Sequence, residues 1–146
     1  MRAAAVAAIT SSGTGTLTLV QVQSASATTL KITEIGVTFQ GTDTAGEPIQ
    51  VEVLRQTSAG TASSLTPVLV EGTNSGTIQS TAQDTFAAEP TAGDVLKRWH
   101  IHPQQGIVYQ PLGAEGFTVP AAGYIGIRVV APATAVDVAA YIEFEE

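Results

Sequence analysis

Apolar and polar residues alternate one by one along much of this chain, and this period of two constrains its fold more than any other feature. In the segment 49–55, branched apolar residues at positions 49, 51 and 53 are separated by polar or charged ones. Successive side chains of a β-strand point to opposite faces, so this alternation predicts strands with one buried face. We expect less than about a tenth of the chain to be helical. The principal predicted strands cover residues 16–23, 30–40, 49–55, 96–102, 123–131 and 136–145.

Two of these segments contain a slip in the alternation. The first slip falls at Leu19-Val20, and the second lies near Glu34-Ile35, where Gly36 follows. A one-residue slip moves every later side chain to the other face unless a β-bulge absorbs the extra residue. We therefore expect a bulge in each of these two strands.

The order of the segments favours one fold class. Strands do not alternate with helical segments, so a parallel sheet is not expected. Long strands lie at both ends of the chain and short ones between, which favours a jelly roll over an immunoglobulin-like sandwich. A length of 146 residues fits a single domain. We predict an all-β protein with an antiparallel, jelly-roll-like β-sandwich at 16–146, preceded by an N-terminal arm at 1–15.

A long segment of low charge, residues 56–94, interrupts the pattern. Within it, the stretch Leu65–Val70 fits a short edge strand, because Pro67 cannot donate to a sheet ladder. Residues 77–88 leave room for one helical turn. We expect partner contacts to come from residues 2–15 first and from this middle segment second.

The charge balance excludes several classes of function. The net charge is −7 with six Lys and Arg residues, which argues against binding a nucleic-acid backbone. The chain has no cysteine, so a disulfide framework, a thiol nucleophile and a cysteine-based zinc site are impossible. Charged residues make up 13% of the chain, about half the usual share of roughly 25%. This low share fits a threonine-rich β protein with a weakly charged surface and, equally, a subunit with much of its surface buried in an assembly.

A membrane partner is not expected either. The longest apolar stretch, residues 3–9, is far shorter than the roughly 20 residues that a spanning helix needs. It follows Arg2, as in a signal peptide, but it is rich in alanine and no convincing cleavage site follows. We expect this stretch to belong to the mature protein.

One arrangement could hold a metal ion. In a strand, His100 and His102 would lie on one face, close enough to share a metal. Metal sites of the cupin class begin in a similar way, with a glycine, here Gly93, ahead of a His-x-His pair.

The rest of such a site is missing from the sequence. No carboxylate closely follows His102, and the chain has no third histidine, whereas a catalytic zinc site usually has three protein ligands. We therefore expect no metal, no cofactor and no catalytic residue. His100 and His102 should face outward, while Trp99 and Ile101 enter the core.

Other candidate chemistry is weaker still. Glu143 and Glu145 share a strand face but lie beside Glu146, and a solvated acidic tail explains them most simply. Aromatic residues make up 5% of the chain, which is a poor supply for a platform that stacks sugars or bases.

Five stretches of the chain together point to a known family: residues 49–61, 88–91, 99–104, 126–132 and 138–145. They resemble small, single-domain structural proteins of tailed bacteriophages and prophages. These proteins are capsid decoration (cement) proteins, or related virion components, with jelly-roll folds. The similarity covers most of the chain from about residue 30 onward.

This resemblance implies a function and a set of partners. It implies a non-enzymatic virion protein, located on the capsid surface, that forms homotrimers and bridges subunits of the phage major capsid protein. Two alternatives remain open, a cupin-like metal-binding protein and a glycan-binding module of a tail or fibre head.

Overall fold

A computed structural model describes residues 1–42, 46–72, 76–112, 116–132 and 134–146. Thirteen antiparallel strands and no helix occur in these ranges. The strands are β1 (Arg2–Val6), β2 (Thr10–Ser11), β3 (Thr16–Gln23), β4 (Leu30–Phe39), β5 (Ile49–Gln56), β6 (Thr61–Leu65), β7 (Val68–Leu69), β8 (Thr81–Ala88), β9 (Ala92–Ile101), β10 (Gly106–Tyr109), β11 (Thr118–Val119), β12 (Tyr124–Val130) and β13 (Asp137–Glu145).

The strands form two sheets. A seven-stranded sheet has the order β10-β4-β13-β1-β7, with β11 added to β4 and β2 added to β13. A six-stranded sheet has the order β6-β8-β3-β12-β5-β9. The all-β, antiparallel fold predicted from the sequence is therefore confirmed. All six principal strands occur where they were expected, although β9 begins four residues earlier.

The core lies between the inner faces of the two sheets. The alternation in the sequence places one set of side chains from each long strand there, as it does Ile49, Val51 and Val53 of β5. On the opposite sheet, Ile35 and Val37 of β4 are equally buried. This arrangement is a β-sandwich, since two sheets hide their apolar faces against each other.

Both expected bulges are present. The pairing of β3 with β12 skips Leu19, so that Thr18 and Val20 lie opposite consecutive residues of β12. The pairing of β4 with β13 skips Thr33 in the same way, close to the predicted position. Each bulge lets a strand with a slipped pattern keep its apolar residues in the core.

The prediction of a separate N-terminal arm at 1–15 is wrong. Residues 2–6 form β1, which lies between β13 and β7, and residues 10–11 form β2 beside β13. Ala3 and Ala5 of β1 are fully buried in the core. Alanine fits here because the strand packs closely against its surroundings. The strand was not predicted because a run of small apolar residues shows no alternation of apolar and polar positions.

The middle segment is also more regular than expected. Its stretch Leu65–Val70 contains β7, a short strand at the edge of the seven-stranded sheet, as predicted. Residues 81–88 form β8, so the helical turn considered there is absent. Much of the segment 56–94 is therefore built into the two sheets. No helix long and apolar enough to cross a membrane occurs in the described part of the chain.

The burial of β1 leads to a first prediction. Replacing Ala5 by Asp places a carboxylate in the core without a partner, which should destabilise the fold by about 3 kcal/mol or more. Replacing the neighbouring Val6 by Asp is the control, because Val6 points outward. Its cost should stay within about 1 kcal/mol. Urea unfolding followed by tryptophan fluorescence measures both, and equal stabilities of the two variants would contradict the assignment of β1.

Candidate functional site

The two histidines lie at the end of β9. His100 is exposed, whereas Ile101 is buried and Trp99 packs against the core. His102 follows the strand, and its Nδ1 accepts a hydrogen bond from the Gln104 backbone N–H at 3.2 Å. His100 is thus exposed, with Trp99 and Ile101 towards the core, as expected, whereas His102 is half-buried beyond the end of β9. Among the described residues, no three His, Asp or Glu side chains are grouped as a metal site.

Three aromatic rings meet beside these histidines, where β9 of one sheet faces β10 of the other. The ring centroids of Trp99 and Tyr109 are 5.4 Å apart, and those of Tyr109 and Phe117 are 5.8 Å apart. The Lys97 ammonium lies 5.6 Å from the centre of the Tyr109 ring. Both distances between rings are typical of favourable aromatic pairs.

The strand registers explain why these side chains meet. Trp99 and Lys97 lie opposite Val51 and Val53 of β5, so both belong to the inward face of β9. Because β9 and β10 are the edge strands on the same side of the sandwich, their inward side chains close its open side. A lysine that points inward from an edge strand also discourages the addition of a further strand.

An open cleft lies against this cluster. It has a volume of about 300 Å³ and is lined by Lys97, Tyr109, Gln110, Pro111, Leu112 and Phe117. We call this site the aromatic cleft. Among the described residues, no carboxylate lies within ion-pair distance of Lys97. The cleft thus combines aromatic surface with a positive charge that has no anionic partner within the described ranges.

Composition alone did not reveal this site. A low aromatic content argued against a stacking platform, but the fold brings three of the eight aromatic residues together. The useful signal was the alternation of Lys97 with Trp99 on one face of a predicted strand. That signal indicates a binding site only when β10 is known to lie opposite β9.

A second feature is the outer face of the seven-stranded sheet. Val6, Val68 and Val108 are 56%, 58% and 59% exposed on this face. Val108, Gly36, Tyr141 and Val6 lie opposite one another in a row across four strands. Ala4 lies opposite Val68 in the same way. We call this surface, which consists of Ala4, Val6, Gly36, Val68, Val108 and Tyr141, the outer valine face.

Tyr141 lies across Gly36 on this face. A Cβ at position 36 would overlap the tyrosine ring, so glycine is required there. The ring can then extend across β4, and its hydroxyl donates a hydrogen bond to the Glu34 carboxylate. The Gln110 amide donates to the same carboxylate. Gly36 therefore permits the contact that places Tyr141 flat against the sheet.

These contacts shift two pKa values in opposite directions. The hydrogen bonds from Tyr141 and Gln110, with the nearby Arg2 charge, lower the pKa of Glu34 below 4.5 despite some burial. Burial, together with the hydrogen bond to Glu34 and the negative charges of Glu34 and Glu143, raises the pKa of Tyr141 to about 12. Tyr141 thus remains a neutral donor, and Glu34 a charged acceptor, over a wide pH range.

The acidic end of the chain is more ordered than the expected solvated tail. Glu143 is buried and pairs with Arg2, while Glu145 is exposed. The Glu146 carboxylate accepts hydrogen bonds from the backbone N–H groups of Gln79 and Ser80 and from the Ser80 hydroxyl. The C-terminal carboxylates therefore hold β1 and the segment before β8 in place.

The six-stranded sheet carries a buried ion-pair cluster. Glu52 of β5 lies between Arg98 of β9 and Arg128 of β12, with N–O distances of 2.7 Å and 2.5 Å. Burial would raise the pKa of Glu52, but the hydrogen bonds and charges of the two arginines lower it below 4.5. These contacts join three neighbouring strands, which indicates a structural role for the cluster.

The sheets and their shared core define this molecule as an antiparallel two-sheet β-sandwich. Its two distinctive surface features are the aromatic cleft at one side and the outer valine face. No protein-family model, curated protein or solved structure matches the chain.

The tyrosine contact leads to a second prediction. Tyr141→Phe removes a donor to Glu34, so the pKa of Glu34 should rise towards 4.5 while remaining slightly lowered by Gln110. Carboxyl ¹³C NMR titration measures this change. In the wild type, absorbance at 295 nm should show one tyrosine that ionises near pH 12, and this step should be absent from the variant.

The same two groups set the pH dependence of stability. The pKa of Tyr141 is raised on folding from about 10, so its stabilising effect should be lost as pH rises from about 10 towards 12. The pKa of Glu34 is lowered on folding, so its effect should be lost as pH falls below 4.5. A variant whose acid and alkaline unfolding matched those of the wild type would contradict both roles.

A third prediction concerns Glu52. Arg128→Met leaves this buried carboxylate with one arginine and should cost about 3 kcal/mol. Arg98→Met should cost less, because the Arg98 side chain is 52% exposed and that of Arg128 is 22% exposed. Thermal unfolding followed by circular dichroism compares the two variants. A larger loss of stability in Arg98→Met than in Arg128→Met would show that Glu52 depends mainly on Arg98.

Proposed function

We propose that this protein is a structural component of a bacteriophage virion. In this role it forms homotrimers on the capsid surface and stabilises the shell by bridging subunits of the major capsid protein. The role requires no catalysis and no cofactor. The outer valine face is the observation that carries the proposal, because it offers a broad surface with exposed apolar side chains to a protein partner.

The strand order supports the jelly-roll form of this fold. Eight strands form two groups of four, β1-β13-β4-β10 and β3-β12-β5-β9. The chain crosses between the sheets at each step from β1 through β3 and β4 to β5. It then crosses again at each step from β9 through β10 and β12 to β13. Two four-stranded sheets connected in this way are typical of a jelly roll.

The outer valine face has the chemistry of a protein interface. Exposed valines surround small residues, so a partner can approach the sheet closely. The carboxylates Glu34 and Glu143 on this face already bind Tyr141, Gln110 and Arg2. Covering the face would therefore leave few unpaired charges, as is typical of the centre of an interface.

The trimer is part of the same proposal. The low share of charged residues favours association, and closed cyclic symmetry limits association to a finite assembly. Light scattering should give a mass about three times the 15.0 kDa of one chain. A stable monomer at micromolar concentration would contradict the trimer but not the binding of capsids.

The two alternatives have unequal support. The cupin-like alternative has His100 and His102, but His100 is exposed and His102 Nδ1 already accepts a hydrogen bond. The glycan-binding alternative has one specific observation in its favour, the aromatic cleft.

Co-sedimentation provides the fourth prediction. The purified protein should pellet with assembled capsids of the phage that encodes it, should not bind free capsid subunits tightly, and should raise the temperature at which capsids open. Binding to the assembled shell alone stabilises that shell by mass action. If the protein never pellets with these capsids, the decoration proposal is wrong.

Matched variants locate the contact. Val6→Asp with Val108→Asp places two charges on the outer valine face and should weaken capsid binding at least tenfold. Val95→Asp is the control, since Val95 is an exposed valine on β9 of the other sheet. If the control weakens binding as much as the double variant, the contact lies elsewhere on the protein.

A further inference from the structure

The aromatic cleft has the features of a binding site for a small, negatively charged ligand. The net charge of the chain is −7, yet the cleft presents a cation that has no carboxylate partner among the described residues. Lys97 stands beside an exposed part of the Tyr109 ring, with Phe117 and Leu112 on the other walls. A ligand that fits this site has an apolar surface and one negative charge.

The size of the cleft restricts the ligand further. A volume of about 300 Å³ lies at the lower limit of ligand pockets, which suits one ring-sized group rather than a long ligand. A single ammonium matches a carboxylate better than a phosphate, because phosphate sites usually gather several cationic or backbone N–H donors. The acidic chain also disfavours a nucleic-acid backbone.

The strands beside the cleft disfavour an extended peptide. A peptide would add to a sheet edge through backbone hydrogen bonds. The edge strand β10 has four residues and ends just before Gln110-Pro111. The edge strand β9 has two irregularities in its pairing with β5 and carries the inward Lys97. Bulges and inward charges are devices that prevent strand addition.

We propose that the aromatic cleft binds a carboxylate-bearing pyranose, such as a hexuronate residue of an acidic polysaccharide. The apolar C–H face of the sugar lies against Tyr109 and Phe117, because the negative faces of aromatic rings attract weakly positive C–H groups. The sugar carboxylate faces the Lys97 ammonium. Gln110, whose amide N–H donates to Glu34, lies at the rim of the cleft. This site borders the outer valine face at Gln110 but includes none of the residues that define that face, and the proposal does not depend on capsid binding.

Trp99 provides a direct measurement, because it is the single tryptophan of the chain and contacts Tyr109. The full-length protein is titrated with trigalacturonate and with its fully methyl-esterified form, which lacks the negative charges and carries a methyl group on each carboxyl. The acid should change Trp99 emission and bind about tenfold more tightly than the ester, as expected for one charge-assisted hydrogen bond. Its affinity should fall as salt is raised.

Three variants test the assigned contacts. Lys97→Gln should weaken binding of the acid about tenfold, to the level of the ester, without affecting the ester. Lys31→Gln is the matched control, because Lys31 is an exposed lysine on β4, and it should bind as the wild type does. Phe117→Leu should weaken both ligands, with circular dichroism confirming that the variant is folded.

Several outcomes would overturn the proposal. Equal binding of acid and ester would remove the role of Lys97, and an equal loss in the Lys31 variant would show nonspecific charge attraction. Absence of any Trp99 or ¹⁵N chemical-shift change with either sugar at millimolar concentration would exclude the ligand class. If an acidic peptide or AMP binds in a way that depends on Lys97 while neither sugar binds, the hexuronate ligand is also excluded.

Discussion

The fold depends on two late strands that are inserted between earlier ones. β13 lies between β1 and β4, and β12 lies between β3 and β5. The early strands β1, β3, β4 and β5 do not pair with one another. The first 56 residues therefore cannot complete either sheet until residues 124–145 are in place. Pairing between such distant segments requires the closure of long loops, a feature of slowly folding β-sandwiches. Both bulges lie opposite these inserted strands, which therefore determine the register of their neighbours.

This dependence explains what the sequence could and could not predict. Alternation is a local signal, so it located both bulges and six of the seven described strands that have seven or more residues, to within a few residues, but it missed β8. β1 escaped prediction because its alanines show no contrast between faces, although burial between β13 and β7 makes the segment a strand. The orientation of Trp99 and His100 followed from alternation within β9. The aromatic cleft did not, because it requires β10 to lie opposite β9, and that placement results from the tertiary fold.

The two surface features differ in the physical chemistry they offer. The outer valine face is broad, lies on five adjacent strands and presents mainly small or aliphatic groups beside Tyr141, which suits a protein surface that buries many weak contacts. The aromatic cleft is small, lies at the open side of the sandwich and combines rings with one cation, which suits a compact ligand. The two features share no defining residue and adjoin at Gln110, so a partner that covers the outer valine face need not fill the cleft.

The polar contacts on the outer valine face make its burial favourable. An unpaired carboxylate at the centre of an interface would cost several kcal/mol when water is removed. Here Glu34 accepts hydrogen bonds from Tyr141 and Gln110, and Glu143 pairs with Arg2, so both charges are already compensated. Gly36 makes this possible, because any side chain at that position would push the Tyr141 ring away from Glu34. A single glycine thus connects the close packing of Tyr141 on the sheet to the hydrogen bonding of the Glu34 carboxylate.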